Sequence, residues 1–149
     1  MTIEEIAKLM VTKGKGILAA DESTGTMGKR LKSVNVESNE KNRLHFRETL
    51  FTSDSMKTSI SGVILYDETI RQTSSKGILI PELIKKSGSI PGIKVDKGAK
   101  LLAGSNDEKI TEGLDGLRER MEEYYKLGAR FAKWRAVYSI SSKDPSEQC

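Results

Sequence analysis

Apolar positions in this chain gather into four short runs, and each run meets charge at or near its C-terminal end. They are Gly16-Ile17-Leu18-Ala19-Ala20-Asp21-Glu22-Ser23, Gly62-Val63-Ile64-Leu65-Tyr66-Asp67-Glu68, Gly92-Ile93-Lys94-Val95-Asp96-Lys97-Gly98 and Ala129-Arg130-Phe131-Ala132-Lys133-Trp134-Arg135-Ala136-Val137. A short continuous apolar run reads as a strand covered on both faces, the mark of a parallel sheet. Charge at the end of such a strand marks a site. Between the runs the apolar positions shift to helical spacing.

Thr2 and Glu5 have capping-box spacing ahead of Ile3, Ile6, Leu9 and Met10, which predicts an amphipathic first helix ended by Gly14 and Gly16. A helical turn is expected from Met27 to Leu31. A longer helix follows over Asn39–Phe51, with Leu44, Leu50 and Phe51 as its core contacts. Strands are expected over Val63–Tyr66, Ile93–Val95 and Phe131–Ile140. Pro81 suits the first turn of a short helix, Glu82–Lys86, ended by Gly88. A loop from Lys97 to about Ile110 leads to a helix carrying Leu114, Leu117, Met121, Tyr124 and Leu127, stopped by Gly128.

Strand and helix therefore alternate, which implies right-handed crossovers and a parallel sheet. Asp21, Asp67, Asp96 and Lys133 recur at intervals of roughly 30 to 45 residues, close to the repeat of a (β/α)8 barrel. The expected fold class is α/β, of the TIM (β/α)8 barrel family, with about the first four βα units present. Residues 1–140 form that half barrel and residues 141–149 a polar C-terminal tail. A doubly wound sheet is the competing architecture, but the glycines make neither a dinucleotide fingerprint nor a P-loop.

Composition narrows the chemistry. The 149 residues carry 25 basic and 21 acidic side chains, a net charge of +4 with the two signs interspersed. That balance suits a small anion and not nucleic acid, since no basic stretch is interleaved with stacking aromatics. No apolar stretch reaches the roughly 18 residues a membrane span needs, and the acidic N-terminus does not resemble a secretory leader. One cysteine, Cys149, fits a reducing compartment, and a cytoplasmic protein is the expectation. One histidine, His45, cannot supply a metal cluster and reads as a helix-surface residue, so neither metal nor cofactor is expected.

Lys94 and Lys133 stand out because a lysine inside an apolar strand is costly unless it faces a polar site. In strand alternation Phe131, Lys133 and Arg135 share one face, as do Lys94 and Asp96. Converging cations suit a phosphorylated or carboxylated ligand, and a lysine among cations can become an imine former or proton shuttle. Asp21 is either an acid–base group or the counter-ion of one of these lysines. Ser23, Thr24 and Thr26, with Lys29 and Arg30 behind them, suit anion contacts as well as an ordinary helix start.

At these residues the chain resembles the class I, Schiff-base, fructose-bisphosphate aldolases. The motifs Lys15-Gly16-Ile17-Leu18-Ala19-Ala20-Asp21-Glu22-Ser23-Thr24-Gly25, Gly92-Ile93-Lys94-Val95-Asp96-Lys97-Gly98, Gly113-Leu114-Asp115-Gly116-Leu117 and Phe131-Ala132-Lys133-Trp134-Arg135 stand in the family's order across residues 3 to 140. The resemblance implies reversible cleavage of fructose 1,6-bisphosphate to dihydroxyacetone phosphate and glyceraldehyde 3-phosphate in glycolysis. It implies that Asp21 serves proton transfer at the C4 hydroxyl and that Lys133 assists carbon–carbon cleavage. Lys94 and Arg135 would contact the substrate and its phosphate, Ser23 and Thr26 would lie beside it, and Lys29 and Arg30 would flank the phosphate.

The same resemblance places the imine-forming lysine on a sixth strand, a catalytic glutamate on a fifth and further phosphate ligands on a seventh and eighth. The expectation is therefore a chain truncated before the imine lysine, inactive by itself, and self-associating or homo-oligomeric through open barrel edges. The alternative is a non-catalytic sugar-phosphate-binding or interaction fragment. A third reading makes Lys94 or Lys133 itself the Schiff-base residue.

Overall fold

The computed structural model describes residues 1–149. In chain order the elements are α1 (Ile3–Met10), β1 (Gly16–Ala20), α2 (Thr24–Ser33), α3 (Glu40–Phe51), α4 (Ser55–Ser59), β2 (Ile60–Leu65), α5 (Asp67–Ile70), α6 (Ile80–Lys86), β3 (Ile90–Lys94), β4 (Ala99–Leu101), β5 (Lys109–Thr111), α7 (Leu117–Leu127) and β6 (Phe131–Lys133). Strands β1, β2, β3 and β6 form one sheet in that order, every pair parallel. Four parallel strands laid down in sequence order, with helix between each strand and the next, are the repeat of a (β/α)8 barrel and not the reversed order of a doubly wound sheet.

Register fixes which side chains point where. Ala20, Leu65, Ile93 and Ala132 make one cross-strand row. With Val63 and Val95 they belong to the outer face, which the helices cover except at Ala132 on β6, left exposed. Val63, Leu65, Ile93 and Val95 are buried in one apolar cluster with Phe51, Ile80, Ile84 and Tyr124. The inner face is different: Ile17 on β1 is 42% exposed and Ala19 is open to solvent. The expected burial on both faces therefore holds for the central strands β2 and β3, while β1 and β6 are edge strands left half-open.

The inner face is paved by one large residue over two absent side chains. A Cβ on Gly92 would stand 2.3 Å from the Phe131 ring, and one on Gly62 would stand 3.2 Å from it. The Phe131 ring of β6 thus lies across β3 and on to β2, floor to the lysines one step further along.

Several elements depart from expectation for identifiable reasons. The fourth strand stops at Lys133 because its partner β3 stops at Lys94, and residues 134–140 carry no ladder. Strand β3 begins at Ile90, before the Pro91-Gly92 pair that reads as punctuation in sequence. The segment expected as a loop holds the antiparallel hairpin β4–β5, whose three-residue strands are too short for periodicity to reveal. Helix α7 begins at Leu117, since Gly116 ahead of it is left-handed with φ 65°, and Leu114 is exposed. In α3 the inward residues are Arg43, Arg47 and Phe51, while Leu50 is exposed. Residues 141–149 form no helix or strand, and Glu108 Oε1 accepts from the Ser146 amide at 2.8 Å, which ties this segment to the hairpin.

Substituting Gly92 with alanine must push the Phe131 ring off the sheet. We expect Gly92→Ala to cost about 1–3 kcal/mol by urea unfolding, and Gly62→Ala to cost less. Equal stability of Gly92→Ala and wild type would show that the ring does not pack there.

Candidate active site

One step beyond the Ala20–Leu65–Ile93–Ala132 row the four strands present Asp21, Tyr66, Lys94 and Lys133 on the inner face. All four line a single cleft of about 930 Å³ at the C-terminal end of the sheet. Lys94 and Lys133 are cross-strand partners. Two ammonium groups on neighbouring strands repel, and each is met by its own carboxylate. Lys133 Nζ donates to Asp21 Oδ2 at 2.5 Å, and Lys94 Nζ donates to Asp96 Oδ1 and, at 3.1 Å, to the Asp96 carbonyl. Both lysines are therefore ion-paired and not set among cations alone.

The Asp21–Lys133 contact joins the first strand to the fourth. In a flat sheet these strands would stand about 14 Å apart at the usual strand spacing. Direct contact needs the sheet to curl, as barrel strands do.

The rim of β1 and β2 is held from behind by two arginines of α3. Arg47 is fully buried; its Nη2 donates to the Glu22 carbonyl at 2.5 Å and its Nη1 to Thr69 Oγ1 at 2.7 Å. Its guanidinium also faces the carboxylates of Glu22 at 3.7 Å and Glu68 at 3.9 Å. Burial lowers its pKa from the ordinary arginine value, and Glu22 and Glu68 act in the opposite sense. An arginine stays charged regardless, so these partners are obligatory. Arg43 grips Glu68 with two parallel bonds, 2.9 Å from Nε and 2.5 Å from Nη2. Those bonds hold the Glu68 carboxyl below the usual glutamate range and raise Arg43.

On the opposite wall Arg71 bridges Asp67 and Glu123, and the Tyr124 hydroxyl donates to Asp67 at 2.9 Å. Burial, and next the bond to Asp67, pushes the Tyr124 phenol up. Arg120 donates to the carbonyls of Val95 (2.9 Å) and Gly113 (2.5 Å), fixing the turn below the hairpin. A Cβ on Gly113, at φ 130°, would meet the Lys97 amide nitrogen at 2.9 Å, so this turn requires glycine.

The cleft gathers most of the residues singled out in sequence. Asp21, Ser23, Thr26, Lys94, Lys133 and Arg135 line it. Ser23 caps α2, its Oγ 3.1 Å from Thr26 Oγ1. Lys29 and Arg30 are exposed and outside the lining, and Arg30 is spent on Glu22 at 2.5 Å. His45 is an exposed helix residue, and no group of His, Cys, Asp and Glu forms a metal site. Sequence reasoning missed Arg47, Tyr66 and the hairpin lysine Lys109. Arg47 stands at a spacing of four from both Arg43 and Phe51, on one helix face, and that spacing was the available signal.

Residues 2–149 match the family model described as Glycolytic: Fructose-bisphosphate aldolase class-I. The chain belongs to the class I fructose-bisphosphate aldolase family. It is 56% identical to a probable fructose-bisphosphate aldolase class 1 of Xylella fastidiosa, over 100% of this chain and 46% of that protein. With the cytosolic fructose-bisphosphate aldolase 5 of Arabidopsis thaliana it shares 58% identity over 95% of this chain and 39% of the relative. A Plasmodium falciparum aldolase, solved in complex with TRAP and a small molecule inhibitor, superposes with a TM-score of 0.92 at 45% identity, covering 97% of this chain and 42% of that one. The fold is accordingly part of a TIM barrel. The chain spans less than half the length of these relatives. No helix is long and apolar enough to cross a membrane.

The Arg43–Glu68 pair makes rim stability sensitive to acid. Because the folded Glu68 pKa is depressed, its stabilisation is complete above the unfolded value, about 4.3, and is lost as pH falls through the lower folded value. Glu68→Gln should melt below wild type at pH 7, with the gap closing below about pH 4. A gap that stays constant to pH 3 would show that the pair carries no such linkage.

Proposed function

We propose that the cleft is the carboxylate-and-cation half of an aldolase site for fructose 1,6-bisphosphate. The observation that carries this is the inner-face row, in which Asp21 and Lys133 meet across four strands beside Lys94. Cleavage to dihydroxyacetone phosphate and glyceraldehyde 3-phosphate takes the proton from the C4 hydroxyl as the C3–C4 bond breaks. The electron pair passes toward the former carbonyl carbon. Asp21, held at 2.5 Å from Lys133, serves that proton, and Lys133 offsets the negative charge that develops. Lys94 and Arg135 take the substrate and its phosphate, with the Ser23 and Thr26 hydroxyls beside them. Thr26 stands where many family members carry serine and offers the same hydroxyl. Lys29 and Arg30, outside the cleft lining, act at most at its approach.

The family's imine-forming lysine belongs to a sixth strand, and neither Lys94 nor Lys133 occupies its position. The 149 residues alone are therefore expected to bind sugar phosphate without turning it over. Bare edges on β1 and β6, with Ile17 42% and Trp134 38% exposed, favour self-association or a homo-oligomer. The cytosolic relatives in Arabidopsis and the pea cytoplasmic isozyme 1 support a cytoplasmic location.

Calorimetry on the purified chain should show fructose 1,6-bisphosphate binding that Lys133→Ala weakens about 10- to 100-fold, the scale of one charge-assisted hydrogen bond. Turnover should be absent. Aldolase activity at the rate of a complete enzyme would refute the half-site reading, and undisturbed binding by Lys133→Ala would remove Lys133 from it.

A further inference from the structure

The inner-face row of the cleft holds three charged side chains and one neutral one. Asp21 and Lys133 are paired with each other and Lys94 with Asp96, so the ionic members of the row are committed. The neutral member is Tyr66, one residue past β2, half-buried and lining the same cleft. Its hydroxyl has no partner within the protein and is not shut away from solvent. The other phenol of the cleft differs, since the Tyr124 hydroxyl is spent on Asp67. The hydroxyls of Ser23 and Thr26 are bound to each other at 3.1 Å.

Tyr66 is also held in place. It continues β2, and the pairing of Ala20 with Leu65 sets it beside Asp21. Behind it the fully buried Arg47 guanidinium stands 5.9 Å from the ring centroid, and Arg47 is itself fastened to the Glu22 carbonyl and to Thr69. A ring backed in this way loses little freedom when its hydroxyl is engaged.

We infer that Tyr66 is a specificity-determining residue of the cleft, its hydroxyl exchanging a hydrogen bond with the sugar-chain hydroxyl next to the one that Asp21 serves. Chemistry decides between this contact and one to phosphate. A phenol is neutral and both donates and accepts, so it matches an alcohol, which does the same. Lysine and arginine only donate and suit phosphate oxygens. An oriented, uncommitted phenol beside Asp21 therefore reads the polyol chain and not its charged ends. A ligand that lacks the hydroxyl forgoes the bond.

This assignment rests on the sugar-phosphate reading of the cleft, and the test separates the two. Wild type and Tyr66→Phe, which keeps the ring against Arg47, are titrated by calorimetry with two ligands. One is fructose 1,6-bisphosphate, and the other is hexane-1,6-diol bisphosphate, which has the same length and no hydroxyls. Tyr66→Phe should bind the sugar about three- to tenfold more weakly, the scale of one neutral hydrogen bond, and the diol bisphosphate within about twofold of wild type. Equal weakening of both ligands, or of neither, would overturn the assignment and leave the cleft reading standing. Absence of binding of either ligand by folded wild type would overturn both. If Tyr66→Phe fails to fold, ring-fluorinated tyrosine in the wild-type chain decides. The Tyr66 fluorine resonance should then move further with the sugar than with the diol bisphosphate, and equal movement would overturn the assignment.

Discussion

The structure turns on a contact between its first strand and its fourth. Asp21 and Lys133 lie 112 positions apart in sequence, yet their charged atoms meet at 2.5 Å. A flat four-stranded sheet could not bring them together, so the pair and the curl of the sheet imply each other. Curling turns the inner face into a concave wall and sends the residue after each apolar row into one mouth. The same constraint explains the alternation of charge there: neighbouring lysines on β3 and β6 are tolerable because a carboxylate lies beside each.

Holding such a rim costs the protein a buried guanidinium. β1 is an edge strand with most of its length exposed, and its end needs an anchor that β2 alone does not supply. Arg47 provides it by gripping the backbone just after Asp21 and the side chain of Thr69 beyond β2. Removing one partner of a buried pair of this kind typically costs about 3–5 kcal/mol, because the other is left unpaired. The arrangement therefore fixes geometry more than it adds stability, which is what a site built on an open edge requires.

Much of this was legible in the chain. Apolar runs ending in charge placed β1, β2, β3 and the start of β6, and strand alternation put Lys133 on the face of Phe131. The capping box of α1 and the Gly128 stop of α7 were local signals that local geometry obeyed. What escaped was settled by tertiary context. Three-residue hairpin strands have no period to detect. Pro91 and Gly92 read as a break, yet lie inside a buried central strand. Leu50, expected in the core, is exposed because the inward face of α3 is Arg43, Arg47 and Phe51, whose arginines meet the carboxylates of Glu22 and Glu68. The division between a covered outer face and an open inner face depends on how many strands stand opposite, which no local window contains.

The central claim is that these residues support imine chemistry without forming the imine. The direct measurement is borohydride reduction of the purified chain in the presence of dihydroxyacetone phosphate, followed by intact mass and peptide mapping. The account predicts an unmodified mass. A reduced adduct on Lys94 or Lys133 would contradict it and make that lysine the Schiff-base residue.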